Sequence, residues 1–228
     1  MSKLKSLSFN SFQLKGIGFV MSLFGALGIV FFSGEEQQMT RLILEFISYP
    51  AIAIFTFLLV EGYCHTGSVR RYAFGIASAA IITEPFYDYA CIGSWMDYGS
   101  ANGQNFLFGL LMCLVILVFL QSAEQSKKFK GFMLVSLLVV LPFWSMLTNI
   151  RFSGVAMYLT AIFYLLREKP RARDITAAVV GTVLKVTGGF SALLIHGYNK
   201  ERGTYPKYLF YALYPAMWIV LAMIKLFA

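Results

Sequence analysis

With 228 residues, 58% of them hydrophobic and 13% charged, the chain has a mean hydropathy of +0.69, whereas soluble domains are roughly 45–50% apolar and about 25% charged. A water-soluble core could not absorb that excess, which excludes a soluble globular enzyme. The net charge of +8 is accounted for by membrane topology and anionic lipid, so no nucleic-acid partner is expected.

In chain order, apolar runs fall at 16–33, 41–63, 70–90, 104–122, 131–149, 152–166, 175–195 and 207–227. Most approach the roughly 20 residues that a helix needs to cross a bilayer. The sequence therefore predicts an all-α integral membrane protein, a polytopic bundle of about eight transmembrane helices in one domain over 1–228. Lys3, Lys5 and Lys15 before the first run resemble the start of a secretory signal. The run is longer than a signal core, however, and Ser33-Gly34-Glu35 offers no small-x-small cleavage pattern, so it is read as a retained helix. Pro142, Asn149 and Arg151 interrupt 131–166, which leaves six or seven spans as the alternative.

Alternation of eight spans sorts the basic residues. Thirteen fall on the side of the N-terminus: Lys3, Lys5, Lys15, Arg70, Arg71, Lys127, Lys128, Lys130, Arg167, Lys169, Arg171, Arg173 and Lys225. Five fall on the other side (Arg41, Arg151, Lys200, Arg202 and Lys207), and Lys185 lies inside a span. Translocation of cationic loops is disfavoured, so the basic side is expected to be cytoplasmic, with both termini on it. Cys64, Cys91 and Cys113 form no CxxC motif and are expected as free thiols. No metal site is expected, because the two histidines, His65 and His196, are predicted at opposite faces.

Polar residues at bilayer depth are costly and usually face a cavity or a partner. Glu45, Glu61, Glu84, Asp88 and Lys185 qualify. Glu84 and Asp88 stand four residues apart on one helix face around Pro85, either presenting two carboxylates inward or fixing helix packing through Lys185 or a tyrosine. A second cluster, EGYCHTGSVRRY at 61–72, gathers Glu61, His65, Thr66, Arg70 and Arg71 at the end of the second helix. An imidazole suits proton transfer near neutral pH and arginine forks suit phosphate oxygens. Equally, the positive-inside rule alone supplies such residues. A third cluster, predicted on the outer side, comprises Gln104-Asn105 and the segment 197–215 with Tyr198, Asn199 and Arg202. Its amides could cap a helix and its tyrosines could form an interfacial belt.

The order EGYCHTGSVRRY, TEPFYD at 83–88, GQN at 103–105, YNKERG at 198–203 and FYALYP at 210–215 resembles the TraX family. These are bacterial membrane proteins named for a conjugation-linked enzyme that acetylates the N-terminus of pilin. The resemblance implies an inner-membrane acyltransferase taking acetyl-CoA as donor and a peptide, lipid or saccharide as acceptor. It implies His65 as proton acceptor or orienting group, with Arg70 and Arg71, beside Thr66, on the CoA phosphates. Glu84 and Asp88, with Gln104, Asn105, Tyr198, Asn199 and Arg202, would then shape the acceptor path. His65 and Glu84 are predicted on different sides, which calls for a transmembrane tunnel. The chain departs from the family pattern at Phe24-Gly25, Ser48-Tyr49, Asn149-Ile150-Arg151 and Met217. Relatives tend to carry Asp-His, Gly-Arg, Asp-Tyr-Gly and His there, so a noncatalytic scaffold or accessory subunit is a second reading. A small transporter or flippase with a buried carboxylate path is a third.

Overall fold

The computed structural model describes residues 8–96, 103–125, 149–183, 188–206 and 208–227, with isolated positions between 131 and 147. Among them are eight α-helices: α1 (Ser11–Phe31), α2 (Gln38–His65), α3 (Val69–Ile92), α4 (Phe106–Gln125), α5 (Ser153–Leu165), α6 (Pro170–Val183), α7 (Gly188–His196) and α8 (Leu209–Phe227). The all-helical class is as expected. α1, α2 with its leading turn, α4 and α8 are each long and apolar enough to cross a membrane. α3, with 24 residues, extends about 36 Å. Outward-facing Ile81, Val115 and Val220 leave exposed apolar surface of the kind that lipid solvates.

Local chemistry sets the helix ends. Asn10 and Gln13 form a reciprocal capping box at the start of α1, each side chain accepting from the other's backbone N–H at 2.9 Å. Ser68 accepts from the Arg71 N–H at 3.3 Å to open α3, and Gly93, at φ +78°, closes it in the left-handed conformation that favours glycine. The expected free thiols are present, with Cys64 exposed, Cys91 half-buried and Cys113 buried.

Small residues hold α1 against α2. A Cβ added at Gly18 would meet Ile54 and Phe55 at 3.3 Å, one at Gly25 would meet Ser48 at 2.5 Å, and one at Gly28 would meet Leu44 at 3.0 Å. Rising α1 numbers meet falling α2 numbers, so the two helices are antiparallel and close together, as small-residue seams allow in lipid. α3 and α8 run parallel: Gly75 faces Tyr211, Tyr87 packs edge-on to Trp218 at 4.7 Å, and the Lys225 ammonium donates to the Ala90 carbonyl at 2.9 Å. The bundle thus has a His65 end and an Arg151 end. At the first lie the start of α1, the end of α2 and the starts of α3 and α8. At the second lie the end of α1, the start of α2 and the ends of α3 and α8.

Two expectations are corrected here. The described parts of 175–195, in α6 and α7, do not form one crossing. α6 and α7 lie against each other, and Asp174 and His196, 22 positions apart, meet at 2.9 Å at the base of the pair. The chain therefore enters and leaves this hairpin at the His65 end. As a consequence α8 starts at that end and finishes at the other, so the described chain begins and finishes at opposite ends rather than on one side. The physical cause is the pairing at the base: buried Asp174 holds Arg173 Nε at 2.8 Å and His196 Nδ1 at 2.9 Å, so both ends of the pair stay polar. The hairpin also carries Lys200 and Arg202 to the basic end. Among the described residues Lys15, Arg70, Arg71, Arg167, Lys169, Arg171, Arg173, Lys200 and Arg202 now share that end, while Arg41, Arg151 and Lys225 lie at the other. The expected fifth span, 131–149, and Lys185 fall outside the described residues apart from isolated positions.

Candidate functional site

At the His65 end α2 stops at Thr66-Gly67 and α3 restarts on the Ser68 cap. The His65 ring is exposed, its Nδ1 2.8 Å from the Glu61 carbonyl oxygen. Arg70 and Arg71 lie exposed on the first turn of α3. Arg71, Thr66 and Ser68 line one side of a groove of about 740 Å³ between α3 and α8, with Gly75 and Ser78 on its α3 wall and Tyr208 and Tyr211 opposite. The hairpin brings the segment 197–206 to this same end. Phe9 donates to Gly197 at 2.7 Å, Asn199 donates to Phe9 at 2.9 Å, and Ser11 donates to Glu201 at 2.8 Å. The Tyr198 ring packs edge-on to Phe57 at 5.3 Å, and burial, helped by the Glu61 carboxylate, pushes its hydroxyl up to about 12. The Asn199 side chain donates to Glu201 at 2.9 Å, and the Arg202 guanidinium lies 5.4 Å from the centre of the Tyr205 ring. Tyr198, Asn199 and Arg202, expected on the outer side, therefore share the end of His65, Thr66, Arg70 and Arg71.

The remaining predicted residues gather nearer the Arg151 end. Asn105 is fully buried. Its backbone N–H donates to Glu84 Oε2 at 3.1 Å, its side-chain amide donates to the same oxygen and, at 3.0 Å, to the Ala80 carbonyl, and its Oδ1 accepts from Leu107 N–H at 3.0 Å. Asn105 thus caps α4 and knots it to α3, leaving little of its amide for a ligand. Gln104 pairs through its backbone with Asn149 and Arg151 at 2.9 and 3.2 Å. Asp88 is buried one turn beyond Glu84.

Sequence reasoning missed Arg151. Its guanidinium lies 3.5 Å from Glu45, which also accepts from Arg41 at 2.8 Å. A cavity of about 70 Å³ opens beside it, walled by Ser22, Gly25, Ser48, Tyr87 and Trp218. Gly25, Ser48 and Arg151 border that one space. The only sequence signal was Arg151 interrupting an apolar stretch.

The spaces adjoin. The Arg151 cavity shares Phe55, Phe106 and Tyr214 with a second cavity of about 100 Å³, lined by Lys15 and the apolar Phe19, Leu58 and Leu110. That cavity in turn shares Tyr72 and Tyr211 with the 740 Å³ groove. Glu84 lies 15 positions beyond Val69, about 22 Å along α3, and hollows that share wall residues lie between the Arg71 groove and Arg151.

These features define a polytopic helical membrane protein with a basic end, a wide groove at that end and small cavities leading inward. Residues 13–225 match the family model described as "TraX protein", and the chain belongs to the TraX family. It is similar to the "Probable fimbrial assembly protein FimC, serogroup H1" of Dichelobacter nodosus, at 22% identity over 98% of each chain. No solved structure matches.

Proposed function

We propose that this chain is a membrane-embedded acyltransferase that takes acetyl-CoA at the His65 end. It passes the acyl group to a peptide N-terminus or to an envelope lipid or saccharide, in the setting of pilus or envelope assembly. The observation that supports the reading is the series of adjoining hollows from the Arg71 groove to Arg151. It answers the demand for a path between polar clusters at different depths. The groove suits the donor. Arg71 and Arg70 stand at the start of α3, where guanidinium forks and the helix N-terminus both favour phosphate oxygens, and the apolar, tyrosine-lined interior suits a thioester arm. In the reaction an acceptor nitrogen or oxygen attacks the thioester carbonyl, the carbon–sulfur bond breaks, and the acceptor's proton leaves through a base. This places the basic end in the cytoplasm of a bacterial inner membrane, where acetyl-CoA is available.

The second reading, a noncatalytic accessory subunit of fimbrial or conjugative assembly, draws on the name of the Dichelobacter relative. It also draws on the commitment of Asn105 and Glu84 to helix capping. The transporter reading is weaker, because Glu45 is held by two arginines and Glu84 by Asn105. Calorimetric titration of detergent-purified protein with acetyl-CoA separates the enzyme from the others. Micromolar binding that is lost on replacing both Arg70 and Arg71 by Ala is expected. A folded wild-type protein that binds no acetyl-CoA would refute the acyltransferase.

A further inference from the structure

Lys15 and Tyr205 lie 190 positions apart, and the reading above uses neither. Lys15, in the second turn of α1, is the charged residue lining the 100 Å³ cavity. Its ammonium donates to the Tyr205 hydroxyl at 2.7 Å. The ring of Tyr205 stacks on Phe12 at 5.3 Å and meets Phe210 edge-on at 5.7 Å, so its position is fixed by packing. Gly203, at φ +75°, brings the loop so close to α1 that a Cβ there would lie 3.0 Å from Phe12 and 3.1 Å from Asn10. Only glycine suits both the conformation and the approach. By contrast His65 lines none of the three hollows.

We propose that Lys15 and Tyr205 are the proton-transfer pair of this site, with Lys15 touching the acceptor in the cavity and Tyr205 as the positioning residue behind it. The proposal rests on the acyltransferase reading and moves the proton acceptor from His65 to this pair. In its deprotonated state the pair is a Lys15 ammonium hydrogen-bonded to a Tyr205 phenolate. As an acceptor amine attacks the thioester carbonyl, the carbon–nitrogen bond forms; Lys15 hands a proton to the phenolate oxygen and takes one from the amine. When the carbon–sulfur bond breaks, the pair returns one proton to the departing CoA thiolate. The products are an amide and a free thiol, and nothing is oxidised or reduced.

The groups facing Tyr205 favour that charge state. Lys15 and Ser11 approach from α1 and Arg202 from its own loop, with Tyr72 from α3, Tyr198, and Tyr211 from α8 nearby. Burial would raise the Tyr205 hydroxyl, but the hydrogen bond and charge of Lys15, together with bonds from Ser11 and Arg202, outweigh it and hold it below the ordinary tyrosine value. A lowered value means that phenolate appears at a lower pH than in a free tyrosine, so transfer should rise with pH as Tyr205 ionises.

The test uses full-length protein in detergent, acetyl-CoA and a short peptide with a free N-terminal amine, with thiol release followed across pH. Ultraviolet difference titration of tyrosinate runs in parallel, and the variants are Tyr205→Phe and Lys15→Arg. Tyr205→Phe is expected to lose about 100-fold or more in rate, the scale of acid–base catalysis, and to lose the early tyrosinate signal while binding acetyl-CoA within about twofold of wild type. Lys15→Arg keeps the cation and should keep the early tyrosinate signal. It should still lose the rate, because a guanidinium does not give up its proton. A merely structural role would let Lys15→Arg work. Wild-type rate and pH profile in either variant overturns the pair alone, whereas no thiol release from wild-type protein overturns the acyltransferase reading and the pair with it.

Discussion

Gly25→Ala is a sharp probe of how the bundle is held together. The added Cβ would sit 2.5 Å from Ser48 Oγ and 2.6 Å from Ser48 Cβ. Rotating the Ser48 hydroxyl away relieves only the first contact; the second involves an atom fixed to the α2 backbone, so α1 and α2 must separate. Overpacking of this kind costs about 1–3 kcal/mol, and the need to move backbone places this case near the top of that range. Alanine returns about 1 kcal/mol of helix propensity, which leaves a net loss of about 2 kcal/mol, roughly 30-fold in the folding equilibrium. Ser48→Gly removes the obstructing atoms at a cost of about 1 kcal/mol, so Gly25→Ala should become neutral or stabilising in that background. The assay is a double-mutant cycle on denaturant midpoints in mixed micelles. An expected coupling of about 2–3 kcal/mol lies within the range for residues in contact. A harmless Gly25→Ala with coupling below about 0.3 kcal/mol would refute the close α1–α2 approach.

The other predictions concern the two polar knots. Asp174→Ala should destabilise the protein by about 3 kcal/mol, because it strands the largely buried Arg173 guanidinium, whose side chain is 11% exposed. A thermal midpoint shift equivalent to less than about 0.5 kcal/mol would mean that the hairpin is held otherwise. Glu84→Ala should cost about 2 kcal/mol by leaving the Asn105 donors unmet, while Glu84→Gln, which keeps an accepting oxygen, should stay within about 1 kcal/mol of wild type. Equal losses in both would show that the carboxylate charge, not the capping of α4, stabilises this corner.

Much of the fold was legible from the residues. Apolar runs of bilayer length announce a helical membrane protein because each crossing must satisfy its own backbone, and α1, α2, α4 and α8 fall on expected runs. The run at 175–195 misled, because hydropathy does not distinguish one crossing from two short helices folded back. The signals against a crossing were Arg173-Asp174 at its edge, the glycine pair Gly188-Gly189 inside it and a histidine at the close. That single misreading put Tyr198, Asn199 and Arg202 on the wrong end and Lys225 with the basic group. The basic asymmetry itself becomes cleaner once the hairpin is in place, with Lys200 and Arg202 joining the cationic end. Contacts such as Asp174 with His196, Lys15 with Tyr205 and Gly25 with Ser48 join distant positions, and no spacing rule reveals them. The cluster of Thr66, Arg70 and Arg71 was legible because it is contiguous in the chain.

The shared site at the His65 end depends on the hairpin that brings 197–206 there, and side-specific labelling of single cysteines in a background without the three native thiols tests that hairpin directly. Cysteines placed at Thr66, at Asn199 and at Trp95 should label from two sides of sealed membrane vesicles, with Thr66 and Asn199 together and Trp95 opposite. Labelling of Asn199 from the same side as Trp95 would contradict the hairpin and dissolve the shared site.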